Sequence, residues 1–143
     1  MKTDHVIALI ARVQDRAHAF IIEELNKRKI TGLVPSHGAI LSILFQKDKA
    51  SMKELAEKIG RDKSTVTVLV NKLMAAGYVL KEKDLDDNRI TYLRLTSKGK
   101  SLQPDFDEIS KKLIFTAFSG FTQTNKEELV KGIEKMLNNF YSQ

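Results

Sequence analysis

The sequence predicts a mainly α-helical protein that carries one small β-hairpin. Apolar residues recur every three or four positions across most of the 143 residues, which is the spacing of amphipathic helices. Only residues 78–95 show the period of two that is typical of strands. Capping residues and glycines divide the helical parts, so the expected order is four helices, a hairpin and two helices.

The first two helices lie near the start of the chain. Helical spacing extends from Thr3 to about Lys27, and Gly32 breaks it. Pro35 suits the first turn of a second helix, because its missing N–H would have no intrahelical partner there. We therefore expect two helices before residue 47.

Two shorter helices with a tight turn between them follow. Ser51 and Glu54 fit a capping box, in which each side chain satisfies the amide of the other residue, and Gly60 fits a left-handed helix end. Asp62 is the expected N-cap of the next helix, which Gly77 ends. The apolar positions of this helix define its inner face: Val66, Leu69, Val70 and Leu73.

The hairpin and two more helices complete the pattern. Residues 78–83 and 90–95 are predicted to form two strands joined by a charged tip. Thr96 begins a further helix, and Thr124 and Glu127 fit a second capping box, which begins the last helix. The last helix is expected to be buried through five apolar residues: Leu129, Ile133, Met136, Leu137 and Phe140.

Length and composition limit the class of protein. The chain has the size of one domain, with 24 Lys and Arg against 18 Asp and Glu, a net charge of +6. It contains no Cys, which excludes disulfides, thiolate zinc sites and cysteine nucleophiles. No apolar run reaches the roughly 18 residues of a membrane span, and the start lacks a signal-peptide cleavage pattern. We expect a cytoplasmic, soluble protein without membrane contact.

The positive charge is concentrated in one part of the chain. Residues 47–100 carry 13 Lys and Arg against 8 Asp and Glu, a net of +5, and the other 89 residues carry 11 against 10, a net of +1. This concentration indicates a basic face that meets a polyanion. Charge alone leaves a well-solvated surface open as the alternative.

The two short helices around Gly60 have the dimensions of a helix-turn-helix, and the hairpin follows them at once. In such a unit the second helix enters the DNA major groove, where base edges differ, and the first braces against the backbone. Asn71 can pair with adenine and Val68 can contact a thymine methyl. Alternatively, the hydroxyl residues only solubilise a surface helix. The residues expected on the outer face are Lys63, Ser64, Thr65, Thr67, Val68, Asn71 and Lys72.

The hairpin is a candidate for the wing of a winged helix-turn-helix. Arg89 at its tip can reach the narrow minor groove, where the negative potential is strong, and Lys81, Lys83 and Arg94 lie on the same hairpin. We expect Asp87 to contact Arg89 and to orient it. The alternative is an ordinary surface ion pair without function.

The motifs of residues 51–99 resemble those of the MarR family of winged-helix transcriptional regulators. The wing tip and the L-T-x-x-G segment are the most specific, and the helices on both sides match in number and order. The family often has Arg where this chain has Val68, Lys81 and Asn88, so base recognition here depends less on arginine. The shared segments are Lys53-Glu54-Leu55-Ala56, Gly60, Lys63-Ser64-Thr65-Val66-Thr67, Leu69-Val70-Asn71-Lys72-Leu73, Gly77-Tyr78-Val79, Asp84-x-x-Asp87-x-Arg89 and Leu95-Thr96-x-x-Gly99.

The resemblance implies a homodimer that binds a pseudo-palindromic operator in double-stranded DNA and represses transcription until a small-molecule effector relieves the repression. It implies one domain over residues 1–143, with the winged helix-turn-helix at about 33–96 and dimerisation arms at about 3–30 and 97–141. An effector pocket is implied near Arg16, His37 and Leu41. The DNA-binding residues, by position, are Lys63, Ser64, Thr65, Thr67, Val68, Asn71, Lys72, Lys81, Lys83 and Arg89.

Other functions find no support in the sequence. The histidines His5, His18 and His37 are scattered, and no phosphate loop or nucleophile arrangement occurs, so we expect neither an enzyme nor a bound metal or cofactor. The homodimer has a second argument, because a chain of this length cannot easily bury both faces of two long flanking helices. The remaining alternative is a winged-helix module that docks an acidic protein.

Overall fold

The helices and strands are, in chain order, α1 (Val6–Lys27), α2 (Pro35–Gln46), β1 (Ala50–Ser51), α3 (Met52–Ile59), α4 (Lys63–Ala75), β2 (Val79–Lys83), β3 (Thr91–Leu95), α5 (Ser97–Lys100), α6 (Gln103–Ala117) and α7 (Gln123–Tyr141). This computed structural model describes residues 2–142. The mainly α-helical class with a small β-element is thereby confirmed. The chain divides into two compact units, Met1–Ser110 and Lys111–Gln143.

The core of the first unit is formed largely by α2, α3, α4 and the sheet. α4 buries all four apolar residues predicted for its inner face and leaves its polar face exposed. The packing of this amphipathic helix therefore decides which of its side chains reach solvent. The largest fully buried side chains are Ile40, Leu41, Leu55, Leu73, Leu93, Val66 and Val70.

The sheet has three antiparallel strands in the order β1-β3-β2. The predicted hairpin is confirmed, with Val79 opposite Leu95 and Lys83 opposite Thr91. β1 was not predicted, because a strand of two residues is too short to show a period of two. Its Ala50 lies opposite Leu93 and is buried.

Local signals place the ends of the helix-turn-helix correctly. Asp62 caps α4, since its Oδ1 accepts a hydrogen bond from the Thr65 amide at 2.7 Å. Gly60 ends α3 with a φ of 68°, in the left-handed region that glycine adopts without strain.

The capping box at the start of α3 is only half formed. Ser51 Oγ accepts from the Glu54 amide at 3.0 Å, as predicted. The Glu54 carboxylate does not return to Ser51 but pairs with Lys47 Nζ at 2.6 Å and Lys58 Nζ at 3.1 Å. Two ammonium groups outcompete one backbone amide for this carboxylate, because a charged donor binds it more strongly.

The helix predicted to begin at Thr96 is in fact two helices. Thr96 caps the short α5, and α6 begins only at Gln103. Pro104 in the first turn of α6 has no N–H to donate to a preceding turn, so a single continuous helix would be broken there.

The last helix begins two residues earlier than predicted. Thr122 rather than Thr124 is its N-cap, because Thr122 Oγ1 accepts from the Asn125 amide at 3.0 Å and Asn125 Oδ1 accepts from the Thr122 amide at 3.3 Å. An asparagine side chain thus supplies the return bond that was assigned to Glu127.

The prediction that the last helix is buried is wrong for the single chain. α7 has no buried residue, and its side chains Ile133, Leu137 and Phe140 are 41%, 52% and 70% exposed. The helical period correctly indicates an apolar face, but the period cannot say what covers that face.

Three consecutive carbonyl groups at the end of α4 are bound by residues that follow β3. Lys98 Nζ donates to the Ala76 carbonyl at 2.7 Å, and Thr96 Oγ1 donates to the Gly77 carbonyl at 2.6 Å. The Thr96 amide donates to the Tyr78 carbonyl at 3.0 Å. These bonds satisfy the backbone carbonyls of the turn that follows α4, and they join this turn to the base of the hairpin.

Gly99 packs so closely against this junction that no side chain fits at its position. A Cβ built on Gly99 would overlap the Tyr78 carbonyl. We expect Gly99→Ala to lower the free energy of unfolding by about 1–3 kcal/mol, the usual range for overpacking a tight site. Denaturant titration followed by circular dichroism measures this loss.

The matched control is Lys100→Ala, because Lys100 is exposed on the same short helix α5 as Gly99. Truncating this exposed side chain should change the free energy of unfolding by less than about 0.5 kcal/mol. Equal stability of Gly99→Ala and the unaltered chain would contradict the assigned role.

His37 is buried in α2 beside the core. Only 2% of its surface is exposed, and its Nδ1 accepts a hydrogen bond from the Val34 amide at 2.9 Å. Among residues 2–142, Nε2 has no hydrogen-bond partner of good geometry. Burial, and then the positive charge of Lys72, hold the pKa of His37 below the ordinary histidine value, while the Leu69 carbonyl acts weakly in the opposite direction.

The buried ring predicts a loss of stability in mild acid. Below about pH 6.5 the unfolded chain binds a proton at His37, whereas the folded chain, with its lower pKa, does not yet bind one. The free energy of unfolding therefore falls as the pH is lowered. The slope is at most about 1.4 kcal/mol per pH unit and ends at the pKa of the folded state. Urea titrations between pH 7.5 and 5 at one protein concentration measure it.

His37→Gln is the informative variant, because a glutamine at this position can still accept from the Val34 amide but does not titrate. We expect a shallower pH dependence in this variant. Identical pH profiles for the two proteins would refute the assignment.

Candidate nucleic-acid interface

The outer face of α4 is the first component of the site. All seven residues predicted for this face are exposed, and Val68 is the most conspicuous because an apolar side chain there is 69% exposed. Side chains three and four positions apart are neighbours on a helix, so this face forms one continuous surface. Its members are Lys63, Ser64, Thr65, Thr67, Val68, Asn71 and Lys72.

The hydroxyl groups at the start of α4 are held by the protein itself. Ser64 Oγ donates to Asp62 Oδ1 at 3.0 Å, and the Thr65 amide donates to the same oxygen at 2.7 Å. Thr67 Oγ1 donates to the Lys63 carbonyl at 2.8 Å. The Thr65 amide, and then the nearby hydroxyl groups of Thr65 and Ser64, hold the pKa of Asp62 below its usual range, so the cap stays ionised.

The tip of the wing holds its arginine in a fixed orientation. Arg89 Nε and Nη2 donate to the two carboxylate oxygens of Asp87 at 3.0 and 3.1 Å, which confirms the expected contact. This pairing with Arg89 holds the pKa of Asp87 below its usual range. Asp84 Oδ2 accepts from the amides of Asp86 and Asp87, so the acidic residues shape the turn. Arg89 remains 90% exposed as a side chain and can reach beyond the tip.

Arg94 does not belong to the free positive charge of the wing. Its guanidinium donates to Glu82 at 2.9 and 3.0 Å and to Asp48 at 2.7 Å. Arg94 lies on the hairpin as predicted, but Glu82 and Asp48 neutralise its charge.

A cleft of about 1090 Å³ lies between α3, α4 and the wing strands. It brings together half of the ten predicted DNA-binding residues: Lys63, Thr67, Lys81, Lys83 and Arg89. The alternation of β2 explains the two lysines, because Lys81 and Lys83 lie on the same face of the strand as the buried Val79.

The cleft also contains residues that the sequence did not reveal as part of the site. Lys53, in the first turn of α3, lines it together with Thr91 and Tyr92. Its position just after the cap Ser51 was a usable signal, since the start of a helix attracts anions. No sequence signal indicated Tyr92 as a site residue, because the alternation of β3 shows only that Tyr92 belongs to the hairpin.

The electrostatic character of the cleft is positive. Its lining includes five basic side chains and one acidic side chain, Glu54, which Lys47 and Lys58 already neutralise. Such a concave cationic surface raises the local concentration of anions. A polyanion strand that passed along it would meet positive charge from α3, α4 and the wing.

The other predicted residues lie outside the cleft. Ser64, Thr65, Val68 and Asn71 belong to the exposed face of α4, beyond the cleft lining. The side chain of Lys72 lies 3.9 Å from the position of a Cβ at Gly32. It is thus close to the loop before α2 as well as to the outer face.

The residues predicted to bind an effector do not share one environment. Arg16 is exposed on α1, whereas Leu41 is fully buried and His37 is almost so. Their assignment to a ligand stays a prediction.

Residues 2–142 contain neither a membrane-spanning helix nor a metal-ligand cluster. None of the helices described there combines the length and hydropathy that crossing a bilayer requires. In the same residues, no three His, Asp or Glu side chains lie together in a way that could hold a metal ion.

Comparison with known proteins agrees with this geometry. The model of the MarR family matches residues 33–91. The transcriptional regulator SarZ of Staphylococcus epidermidis is 28% identical over 106 residues, 74% of this chain and 70% of SarZ. The crystal structure of a MarR transcriptional regulator from Methanosarcina mazei superposes with a TM-score of 0.82 at 24% identity, covering 98% of this chain and 99% of that one.

A third similar structure is that of BpsR from Bordetella bronchiseptica, whose DNA binding is regulated by 6-hydroxynicotinic acid. It has a TM-score of 0.80 at 20% identity and covers 92% of this chain and 91% of BpsR. The matched segment, residues 33–91, contains the helix-turn-helix and most of the wing described above. The chain therefore belongs to the MarR family of DNA-binding winged helix-turn-helix transcriptional regulators, which are not enzymes.

Proposed function

We propose that this regulator is a cytoplasmic repressor, which binds a pseudo-palindromic operator in double-stranded DNA as a homodimer and releases it when a small-molecule effector binds. The observation that carries the proposal is the position of the exposed face of α4 beside a cationic cleft and an oriented wing arginine. α4 would enter the major groove, the cleft would follow a phosphate strand and Arg89 would reach the minor groove.

The homodimer is supported by apolar surface in both units. In the first unit, α1 exposes Ile7, Leu9 and Val13 by more than half. In the second unit, α7 buries nothing, and Leu137 and Phe140 are also more than half exposed. Exposed apolar surface on this scale marks an interface, and a second copy would pair two α4 helices for two half-sites about 34 Å apart.

Effector control is supported by the surroundings of His37. An effector that reached His37 or Leu41 from the side of α1 would have to displace the packing of α2. The Leu69 carbonyl and the charge of Lys72, both on α4, interact with the ring of His37. A displacement of this ring would therefore also alter the position of α4, the helix proposed to contact the bases. BpsR, whose DNA binding a small aromatic acid regulates, is a precedent in the same fold.

The DNA-binding surface predicts a strong salt dependence. On a labelled random duplex, log K should fall with log[salt] by about 0.9 for each phosphate contact, because each contact releases a counterion. On an operator selected from a random pool, Arg89→Ala should weaken binding by about 1–3 kcal/mol. Fluorescence anisotropy between 50 and 200 mM salt measures both effects.

Lys27→Ala is the control, because this exposed lysine lies on α1 and is not part of the cleft lining. Its affinity should equal that of the unaltered chain. Failure to bind any duplex at 50 mM salt would end the proposal, and an unchanged affinity in Arg89→Ala would remove the wing from the contact surface.

The exposed apolar face of α7 predicts a dimer that a buried charge would break. Sedimentation at micromolar concentration should give twice the 16.2-kDa mass of the chain. Leu137→Glu should give the monomer and should lose operator binding, since an unpaired carboxylate in an apolar interface is unfavourable. Leu85→Glu, at a wing-tip position that is 98% exposed, should remain dimeric. A monomeric unaltered chain would contradict the homodimer.

A further inference from the structure

The centre of the exposed face of α4 is an apolar side chain in an otherwise polar surface. Val68 has Ser64 four residues before it and Asn71 three residues after it, so both are its neighbours on the helix. Its side chain is 69% exposed, and valine is below average as a helix former. The folded chain itself gains little from a valine at this position.

The hydroxyl groups around Val68 cannot donate freely to DNA. Ser64 donates to the carboxylate of Asp62, and Thr67 donates to the carbonyl of Lys63. A hydroxyl has one hydrogen, so each of these groups offers a base only its lone pairs. Lone pairs can accept from the amino groups of adenine or cytosine, but they cannot satisfy the acceptors of guanine.

Arginine, the most frequent reader of guanine, is missing from this helix. α4 contains no arginine, and its two lysines stand at Lys63 and Lys72, on either side of Val68. Guanine is most often read by arginine or lysine that donates to O6 and N7. The centre of the footprint therefore presents a methyl-bearing side chain, hydroxyl acceptors and the amide of Asn71, a combination that suits an adenine–thymine pair.

We propose that Val68 determines sequence specificity by contacting the C5 methyl group of a thymine in each half-site. This inference rests on the proposed function, in which α4 enters the major groove of DNA. Asn71, one turn further along, would then stand over the neighbouring base pair, where its amide can pair with adenine. Specificity here would come from uncharged contacts, and the cationic cleft would supply affinity.

The test removes only the methyl group. An operator is first selected from a random pool, and each thymine of a half-site is then replaced in turn by deoxyuridine, which lacks the C5 methyl but keeps every hydrogen-bonding group. At one thymine in each half-site, the unaltered chain should bind about fourfold more weakly, the ratio expected for one buried methyl group. Val68→Ala should bind the thymine and uracil duplexes equally at that position.

Leu80→Ala is the matched control, because it also truncates a partly exposed apolar side chain, on the face of β2 that bears Glu82 rather than the cleft lysines. This variant should keep the fourfold ratio. Circular dichroism checks that Val68→Ala is folded, as its exposure leads us to expect.

The outcomes separate the inference from the function on which it rests. Salt-dependent binding of the operator with no sensitive thymine, or an undiminished ratio in Val68→Ala, would overturn the role of Val68 alone. A failure of every duplex to bind at 50 mM salt would overturn both. A methyl effect that vanishes in Val68→Ala and persists in Leu80→Ala would establish the contact.

Discussion

The position of α4 relative to the wing depends on three carbonyl groups in the turn that joins this helix to β2. Lys98 and Thr96 bind the carbonyls of Ala76, Gly77 and Tyr78, so the segment after β3 is tied to the segment before β2. The backbone of Gly99 lies against the same carbonyl of Tyr78. Because α4 ends and β2 begins at this junction, two of the elements that border the cleft are joined here, away from the flexible lysines that line it.

Acidic side chains organise the surface with which this family of regulators binds DNA, itself a polyanion. Asp62 caps α4, Asp84 closes the turn of the wing and Asp87 holds Arg89. Each carboxylate is engaged by donors of its own segment, which spreads its charge over those donors. These three carboxylates repel phosphate, but they make the surface rigid. The four lysines of the cleft outnumber them.

Local features of this fold could be predicted from the sequence, whereas features that join distant residues could not. The caps at Asp62 and Gly60 depend on side chains within three or four positions, so pattern alone locates them. The pairing of Arg94 could not be predicted in this way, because its partner Asp48 lies 46 residues away in the sequence and no motif connects the two. The same limit hid β1, whose pairing with β3 is a contact between distant segments.

The site shows this limit most clearly on α4. The helical period identified which residues face outward, since that depends only on the helix burying its apolar side. Whether an outward hydroxyl is free to donate depends on rotamers, and Thr67 uses its hydrogen on the carbonyl of Lys63. A pattern of residue types therefore overstates the donors available to bases.

In the proposed complex with DNA, affinity and specificity would reside in different parts of this surface. The charged cleft would act through counterion release, which weakens as salt rises and depends little on sequence. A contact between Val68 and a methyl group carries no charge, so salt leaves its contribution in place. As ionic strength rises, binding to random DNA falls while discrimination between half-sites is kept. A recognition helix without arginine thereby exchanges strength of binding for a specificity that does not depend on salt, and the wing arginine and the lysines of the cleft must provide the strength.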